Sequence, residues 1–306
     1  MITAICLNPC FDKTVEVDAM SIGKVHRVRS MRTDPGGKGA NVANVLTRLG
    51  AQARCLGLAG EIDAARYEAM LREAGVVHGF LHMPGEIRTN LKIVSLDGGD
   101  CTEINEPGPH VSAKLLTDLL RLVRDNCGGD DFLVLTGSLP PGCPDDTYAR
   151  LVRVLPVPCV VDASGATLRT SLAAKPFLVK PNRAELCSAV GKELETLDEI
   201  EAAARELMAA GAQNALVSLG GEGALLVTEK KVWHAPGIRV RVSSTVGAGD
   251  AMTAGFVAGY VETGDFVEAF RRGVAAGTAS VITDGTQLIR REDYDALLER
   301  VSIREV

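Results

Sequence analysis

Two kinds of apolar pattern divide the chain. Short, predominantly apolar runs recur at Met1–Leu7, Ala53–Leu58, Phe132–Thr136, Cys159–Asp162, Phe177–Val179 and Ala215–Ser218. Such runs predict strands buried on both faces, as in a parallel sheet. Most end in polar or glycine-rich loops: Asn8-Pro9-Cys10-Phe11-Asp12, Gly137-Ser138-Leu139-Pro140, Lys180-Pro181-Asn182-Arg183 and Leu219-Gly220-Gly221-Glu222-Gly223. Loops at the C-terminal ends of parallel strands form the ligand face of such sheets. Helices are predicted over Val42–Leu49, Ala64–Ala74, and from Gly249 and Asp265 onward; Ala224–Val227 and Val232–Ala235 read as a hairpin. The second pattern is strict alternation, at Lys13–Val17, His26–Arg32 and Arg88–Val94. Alternation predicts strands with one open face, so about 12–35 and 87–106 read as two excursions from a single α/β domain spanning 1–306. A turn at Asp97-Gly98-Gly99-Asp100 splits the second excursion, and Glu106-Pro107-Gly108-Pro109 returns it to the main body.

One stretch organises the rest. Val242–Met252 reads as an extended segment, a turn at Gly247-Ala248-Gly249, and a helix of small residues. Glycines let the backbone approach a ligand closely. The helix start offers unpaired N–H groups and a positive dipole end, a site for a phosphate. Asp250 falls in that first turn. An ionised acid beside a phosphate site can take a proton from a hydroxyl during phosphoryl transfer; it can also simply cap the helix. Asp12 lies just past a buried strand, as a ligand group or a turn cap. Gly36-Gly37-Lys38-Gly39-Ala40-Asn41 brings glycines and a charge to a second helix start, without the spacer and Ser/Thr of a Walker A loop. Arg88, Asn90 and Lys92 share one strand face, either as an anion clamp or as a solvated edge. Arg27 and Arg29 share another.

The net charge of −6 argues against a nucleic-acid partner, so a phosphate must be held by a local basic cluster. Eight cysteines without a C-x-x-C pair read as reduced thiols of a cytoplasmic protein. The first residues lack the basic region of a signal peptide, and the longest apolar stretch, Ala251–Val261, is too short to span a membrane.

Four ordered motifs give the chain a resemblance over essentially its whole length to the ribokinase-like (pfkB-type) carbohydrate kinases. They are Gly36–Asn41, Asn182-x-x-Glu185, Ser218-Leu219-Gly220-x-x-Gly223, and Thr245–Asp250. Leu7-Asn8-Pro9-x-x-Asp12, Arg88-x-Asn90-x-Lys92, Gly137-Ser138-Leu139-Pro140 and Lys180-Pro181-Asn182-Arg183-x-Glu185-Leu186 resemble the branch of 1-phosphofructokinases and tagatose-6-phosphate kinases. Ser244 stands where many members carry Asp, a departure typical of that branch. The resemblance implies a doubly wound, mostly parallel sheet flanked by helices, with a small β-sheet lid that often pairs into homodimers. It implies Asp250 as general base and the N–H groups of Gly247, Ala248 and Gly249 as an anion hole. ATP would be held by Lys180, Ser218, Gly220, Gly223, Thr245, Gly247 and Gly249, and Mg²⁺ by Asn182 and Glu185, through water. Asp12, Gly37, Lys38, Asn41 and Ser138 would hold the sugar. Arg88, Asn90 and Lys92 would hold its phosphate, with Arg27 from a second subunit. The reaction implied is ATP-dependent phosphorylation of a ketohexose phosphate, fructose 1-phosphate to the 1,6-bisphosphate or tagatose 6-phosphate to its bisphosphate. A sugar-phosphate-binding protein without turnover is the alternative of a different class.

Overall fold

Runs that are apolar on both faces must be covered on both faces, and the fold does this with one long sheet between two helical layers. The computed structural model describes residues 1–98, 100–283 and 288–306. Among these, the elements in order are β1 (Ile2–Cys6), β2 (Cys10–Val17), β3 (Ser30–Gly36), α1 (Lys38–Arg48), β4 (Ala53–Gly60), α2 (Ala64–Glu73), β5 (Val77–Met83), β6 (Arg88–Ser95), β7 (Cys101–Asn105) and α3 (Ala113–Asn126). There follow β8 (Phe132–Thr136), α4 (Thr147–Val154), β9 (Cys159–Asp162), α5 (Gly165–Leu172), β10 (Leu178–Val179), α6 (Arg183–Val190), α7 (Leu197–Ala209) and β11 (Ala215–Ser218). The chain then forms β12 (Gly223–Val227), β13 (Val232–Pro236), α8 (Ala248–Thr263), α9 (Phe266–Val281), α10 (Arg291–Leu298) and β14 (Arg304–Glu305).

The main sheet runs β14-β13-β12-β11-β10-β9-β8-β1-β4-β5. From β5 to β11 its pairs are parallel; β12, β13 and β14 add on antiparallel. Strand order therefore reverses at β1, which lies between β4 and β8. That reversal opens a crevice at the strands' C-terminal ends, where open α/β sheets bind ligands. Alternate residues of β1 feed two cores: Ile2, Ala4 and Cys6 pack with α1, α2, α8, α9 and α10, while Ile5 packs with α3, α4, α5, α6 and α7. No helix of the described residues is long and apolar enough to cross a membrane.

The alternating segments build a second sheet, β3-β2-β6-β7, with β2 and β6 parallel. In that pair Cys10, Asp12 and Thr14 stand opposite Arg88, Asn90 and Lys92. The expected strand over His26–Arg32 is corrected: β3 begins only at Ser30, and residues before it form a loop. The alternation there is overridden by local polar bonds. Arg29 forms a bidentate pair with Asp18 at 2.8 Å, and the His26 ring bonds the Ser21 carbonyl at 2.8 Å. α1 starts at Lys38, earlier than the predicted Val42. The helix from Asp265 is not the last element, since α10 and β14 follow it. Gly99 of the turn expected at 97–100 lies outside the described residues.

Candidate active site

The crevice is a cleft of about 1050 Å³ between the ends of β1, β8, β9 and β10, the first turn of α8, and the second sheet. At its base the chain reverses at Gly247, whose φ of 80° is left-handed and suits a residue without Cβ. α8 begins at the next residue, so its first N–H groups lack intrahelical acceptors, and Gly247, Gly249 and Asp250 line the cleft. Asp250 lies in that turn but makes no capping bond, against the cap reading. Its carboxylate, 4% exposed, instead accepts a 2.8 Å hydrogen bond from the Asn41 Nδ2 of α1. Burial pushes the Asp250 carboxyl up to about 6, with the nearby Asp162 charge adding and Lys38, the Asn41 bond and Lys180 opposing. Such an acid is mostly ionised at neutral pH yet basic enough to take a proton.

Beside it stands a buried charge cluster. Asp162, at the end of β9, is 1% exposed and lies 3.3 Å from the Lys180 Nζ and 3.6 Å from the Lys38 Nζ. Burial alone would raise its pKa; Lys180 and Lys38 overcome that and hold it below the usual carboxylate range. Lys38 is raised in turn, chiefly by Asp162 and also by Asp250 and Glu185. The Lys180 ammonium packs directly on Gly249, where an added Cβ would lie 3.2 Å from Nζ. Two cations thus converge on the start of α8, Lys180 from just past β10 and Lys38 from α1.

Asn182 and Glu185 form a capping box on α6: the Asn182 Oδ1 accepts from the Glu185 N–H at 2.8 Å, and the Glu185 Oε2 from the Asn182 N–H at 2.9 Å. Both line the cleft. The box leaves one Glu185 carboxylate oxygen free. Among the described residues there is no group of three or more His, Cys, Asp or Glu side chains placed to hold a metal. This donor set fits a hydrated ion such as Mg²⁺, which keeps several waters and takes few protein ligands.

The second sheet supplies the cleft's other wall. Asp12, 5% exposed, accepts from Asn90 Nδ2 at 3.1 Å and lies 3.9 Å from the Lys92 Nζ. Arg88 donates to Asn90 Oδ1 at 2.8 Å and to the Glu106 carbonyl at 3.0 Å. Lys92 is buried, not the solvated edge lysine that the alternation also allowed.

Most sequence-predicted residues share this one cleft. Asp12, Gly37, Lys38, Asn41, Arg88, Asn90, Lys92, Ser138, Lys180, Asn182, Glu185, Ser218, Thr245, Gly247, Gly249 and Asp250 all line it. Gly220, Gly223, Ala248 and Arg27 do not; the two glycines shape the turn after β11, the Ala248 N–H donates to the Thr245 carbonyl at 3.4 Å, and Arg27 is exposed in the loop before β3. Sequence reading passed over Asp162 as a site residue, though its place at the end of an apolar run was the available signal. It also gave no role to Asn8 or Cys10, which line the cleft.

Comparison with known proteins agrees with this geometry. The family model described as "pfkB family carbohydrate kinase" matches residues 6–292. The chain is 34% identical over 306 residues to the 1-phosphofructokinase of Bacillus subtilis (strain 168), covering 99% of each. It is 38% identical over 270 residues to the 1-phosphofructokinase of Xanthomonas campestris pv. campestris, covering 84% of this chain and 83% of the relative. The solved structure of phosphofructokinase-2 from Escherichia coli in complex with fructose-6-phosphate superposes with a TM-score of 0.91 at 28% identity, covering 98% of each chain. With a glycine turn at a helix start, a buried acid beside it and this match across the chain, the protein belongs to the pfkB family of carbohydrate kinases, which transfer a phosphoryl group to a hydroxyl group of a sugar.

Proposed function

We propose that this kinase transfers the γ-phosphoryl group of ATP, with Mg²⁺, to fructose 1-phosphate, giving fructose 1,6-bisphosphate in the cytoplasm. One observation carries the sugar-phosphate reading: Arg88 and Lys92 face the same cleft as Asp250 from the opposite wall. A sugar with a phosphate at one end and a free hydroxyl at the other suits both walls. The 1-phosphofructokinase relatives favour the phosphate on carbon 1. Asp250 takes the proton of the attacking hydroxyl. The N–H groups of Gly247, Ala248 and Gly249, with Lys180 and Lys38, face the charge spread over the transferred group. Asn182 and the free oxygen of Glu185 would hold the waters of Mg²⁺, whose charge helps neutralise the nucleotide phosphates. Ser218, Thr245 and the turn through Gly220 and Gly223 border the nucleotide.

The second sheet acts as a lid over the sugar. Its exposed Met31, Leu96 and Ile104, each more than half exposed, support pairing of two lids into a homodimer. Arg27 then reaches towards the partner subunit's cleft. Light scattering is expected to give twice the chain mass at micromolar concentration; a strictly monomeric mass with full activity would refute the pairing.

Initial rates against fructose 1-phosphate, tagatose 6-phosphate, fructose 6-phosphate and fructose test the substrate. The highest kcat/KM is expected for fructose 1-phosphate. Arg88→Met is expected to raise its KM about 10- to 100-fold, the loss of one or two bonds to a charged group, with KM for ATP unchanged. A preference for tagatose 6-phosphate would keep the mechanism and change the substrate. Turnover of fructose alone would overturn the phosphate clamp.

A further inference from the structure

The main chain passes between the two sheets at several places, and two of them meet at one side chain. Asn8 lies on the link from β1 to β2; Glu106-Pro107-Gly108 begins the link from β7 to α3. Asn8 is 7% exposed. Its Nδ2 donates to the Pro107 carbonyl at 3.1 Å and to Ser138 Oγ at 3.3 Å, on the loop after β8. Its own carbonyl receives the Arg88 guanidinium, from Nε and Nη2 at 3.4 Å each. Arg88 also grips the Glu106 carbonyl, and the Glu106 carboxylate accepts from the Thr89 N–H at 2.7 Å. Asn8 therefore ties the main sheet and the link from the second sheet through its side-chain amide, and the arginine that lines the cleft through its main-chain carbonyl.

The residue is also held from behind and left open in front. Pro9 restricts the Asn8 backbone to extended conformations, so its carbonyl and its anchored side chain shift as one unit. Its Oδ1 is buried with no hydrogen-bond partner and presses on Gly108, whose φ of 90° leaves no room for a Cβ there. Buried polar atoms without partners are rare and call for an explanation. Gly108, the residue that the Asn8 Oδ1 lies against, is a joint in the link from β7 to α3.

We infer that Asn8 is a positioning residue that couples the Pro107-Gly108 joint to the aim of Arg88, so that movement of the second sheet and grip on the substrate phosphate are set together. The part concerning substrate rests on the sugar-phosphate reading above; the part concerning the joint does not. Asn8 touches no reacting atom, and its effect passes through Arg88 and the joint.

The experiment is a double-mutant cycle with Asn8→Ala and Arg88→Met, read as KM for fructose 1-phosphate, together with amide hydrogen exchange over residues 106–111 without ligand. In the wild-type background, Asn8→Ala is expected to raise that KM roughly tenfold, as for a misaimed contact, with kcat and the KM for ATP within about twofold. In the Arg88→Met background the same change is expected to have less than about a twofold effect, since the group it aims is gone. Exchange over 106–111 is expected to quicken about tenfold or more while the strands of the main sheet keep their protection. Equal KM effects in both backgrounds would overturn the coupling to Arg88, and unchanged exchange would overturn the joint. Should Asn8→Ala fail to fold, Asn8→Leu keeps the branched shape and removes the side-chain hydrogen bonds without adding charge, and the same readings apply. A wild-type protein that ignores sugar phosphates would sink the substrate reading, and exchange would still decide the role of Asn8 at the joint.

Discussion

Asp250→Asn is expected to lower kcat by about 10²- to 10⁴-fold, the range for loss of a general base, while KM for both substrates moves little. The amide has the shape of the carboxylate and its oxygen still accepts from Asn41, so binding survives. Wild-type kcat is expected to fall as pH drops below about 6, where burial places the Asp250 carboxyl, and the variant's residual rate to lack that limb. The same variant is expected to be more stable than the wild type at pH 7. A carboxyl raised from 3.8 to about 6 is held against its preference to ionise, so the stability it lends at low pH is lost as pH rises through that window. By the usual conversion of roughly 1.4 kcal/mol per pKa unit, the gain on removing the charge is about 3 kcal/mol at most. Chemical denaturation at pH 3.5 and 7.5 reads it: the curves should coincide at the lower pH and separate at the higher. An Asn variant that turns over normally would sink the assignment of the base.

The neighbouring acid is expected to behave in the opposite way. Asp162→Asn leaves Lys180 buried without its countercharge, and breaking a buried pair costs about 3–5 kcal/mol. Its carboxyl sits below the ordinary range, so this stability is present above about pH 4 and is lost as pH falls and the group protonates. The gap between wild type and variant in urea should therefore be widest near pH 7 and close in acid. KM for ATP should rise as well, because Lys180 packs on the phosphate-binding turn at Gly249. Equal stability at pH 7 would mean that water, not Asp162, compensates the lysines. Within one cleft, then, Asp162, paired with two lysines, and Asp250, bonded to the neutral Asn41, are expected to respond to amidation with opposite signs.

Much of this was legible in the sequence because it depends on local pattern. Predominantly apolar runs gave β1, β8, β9 and β11, and the glycines at 247 and 249 marked the turn before α8. The strand face of Arg88, Asn90 and Lys92 followed from a period of two. What stayed hidden depends on pairing between distant segments. Nothing near Asp162 signals that Lys38 and Lys180 will enclose it, since they arrive from α1 and β10. Asn8 carries no local sign that it will meet Pro107 and Ser138. β5 lacks a clean alternation, with Gly79 among His78 and His82, so its pattern announced no strand. The strand expected at His26–Arg32 shows the reverse failure: alternation was present throughout, but β2 pairs with the chain only from about Ser30 onward.

The bond between Asn41 and Asp250 spans 209 residues. Its two ends leave the ribosome far apart in time, roughly 10–40 s at about 5–20 residues per second. The cleft lining from Asp12 to Ser138 emerges first; the turn at Gly247 and Asp250 emerges among the last of the lining residues. On the proposed assignment, a nascent chain carries the groups for the sugar before it carries the base. Competence then arrives as one late event in synthesis, and a prematurely terminated product is expected to be inert, not a wasteful ATPase.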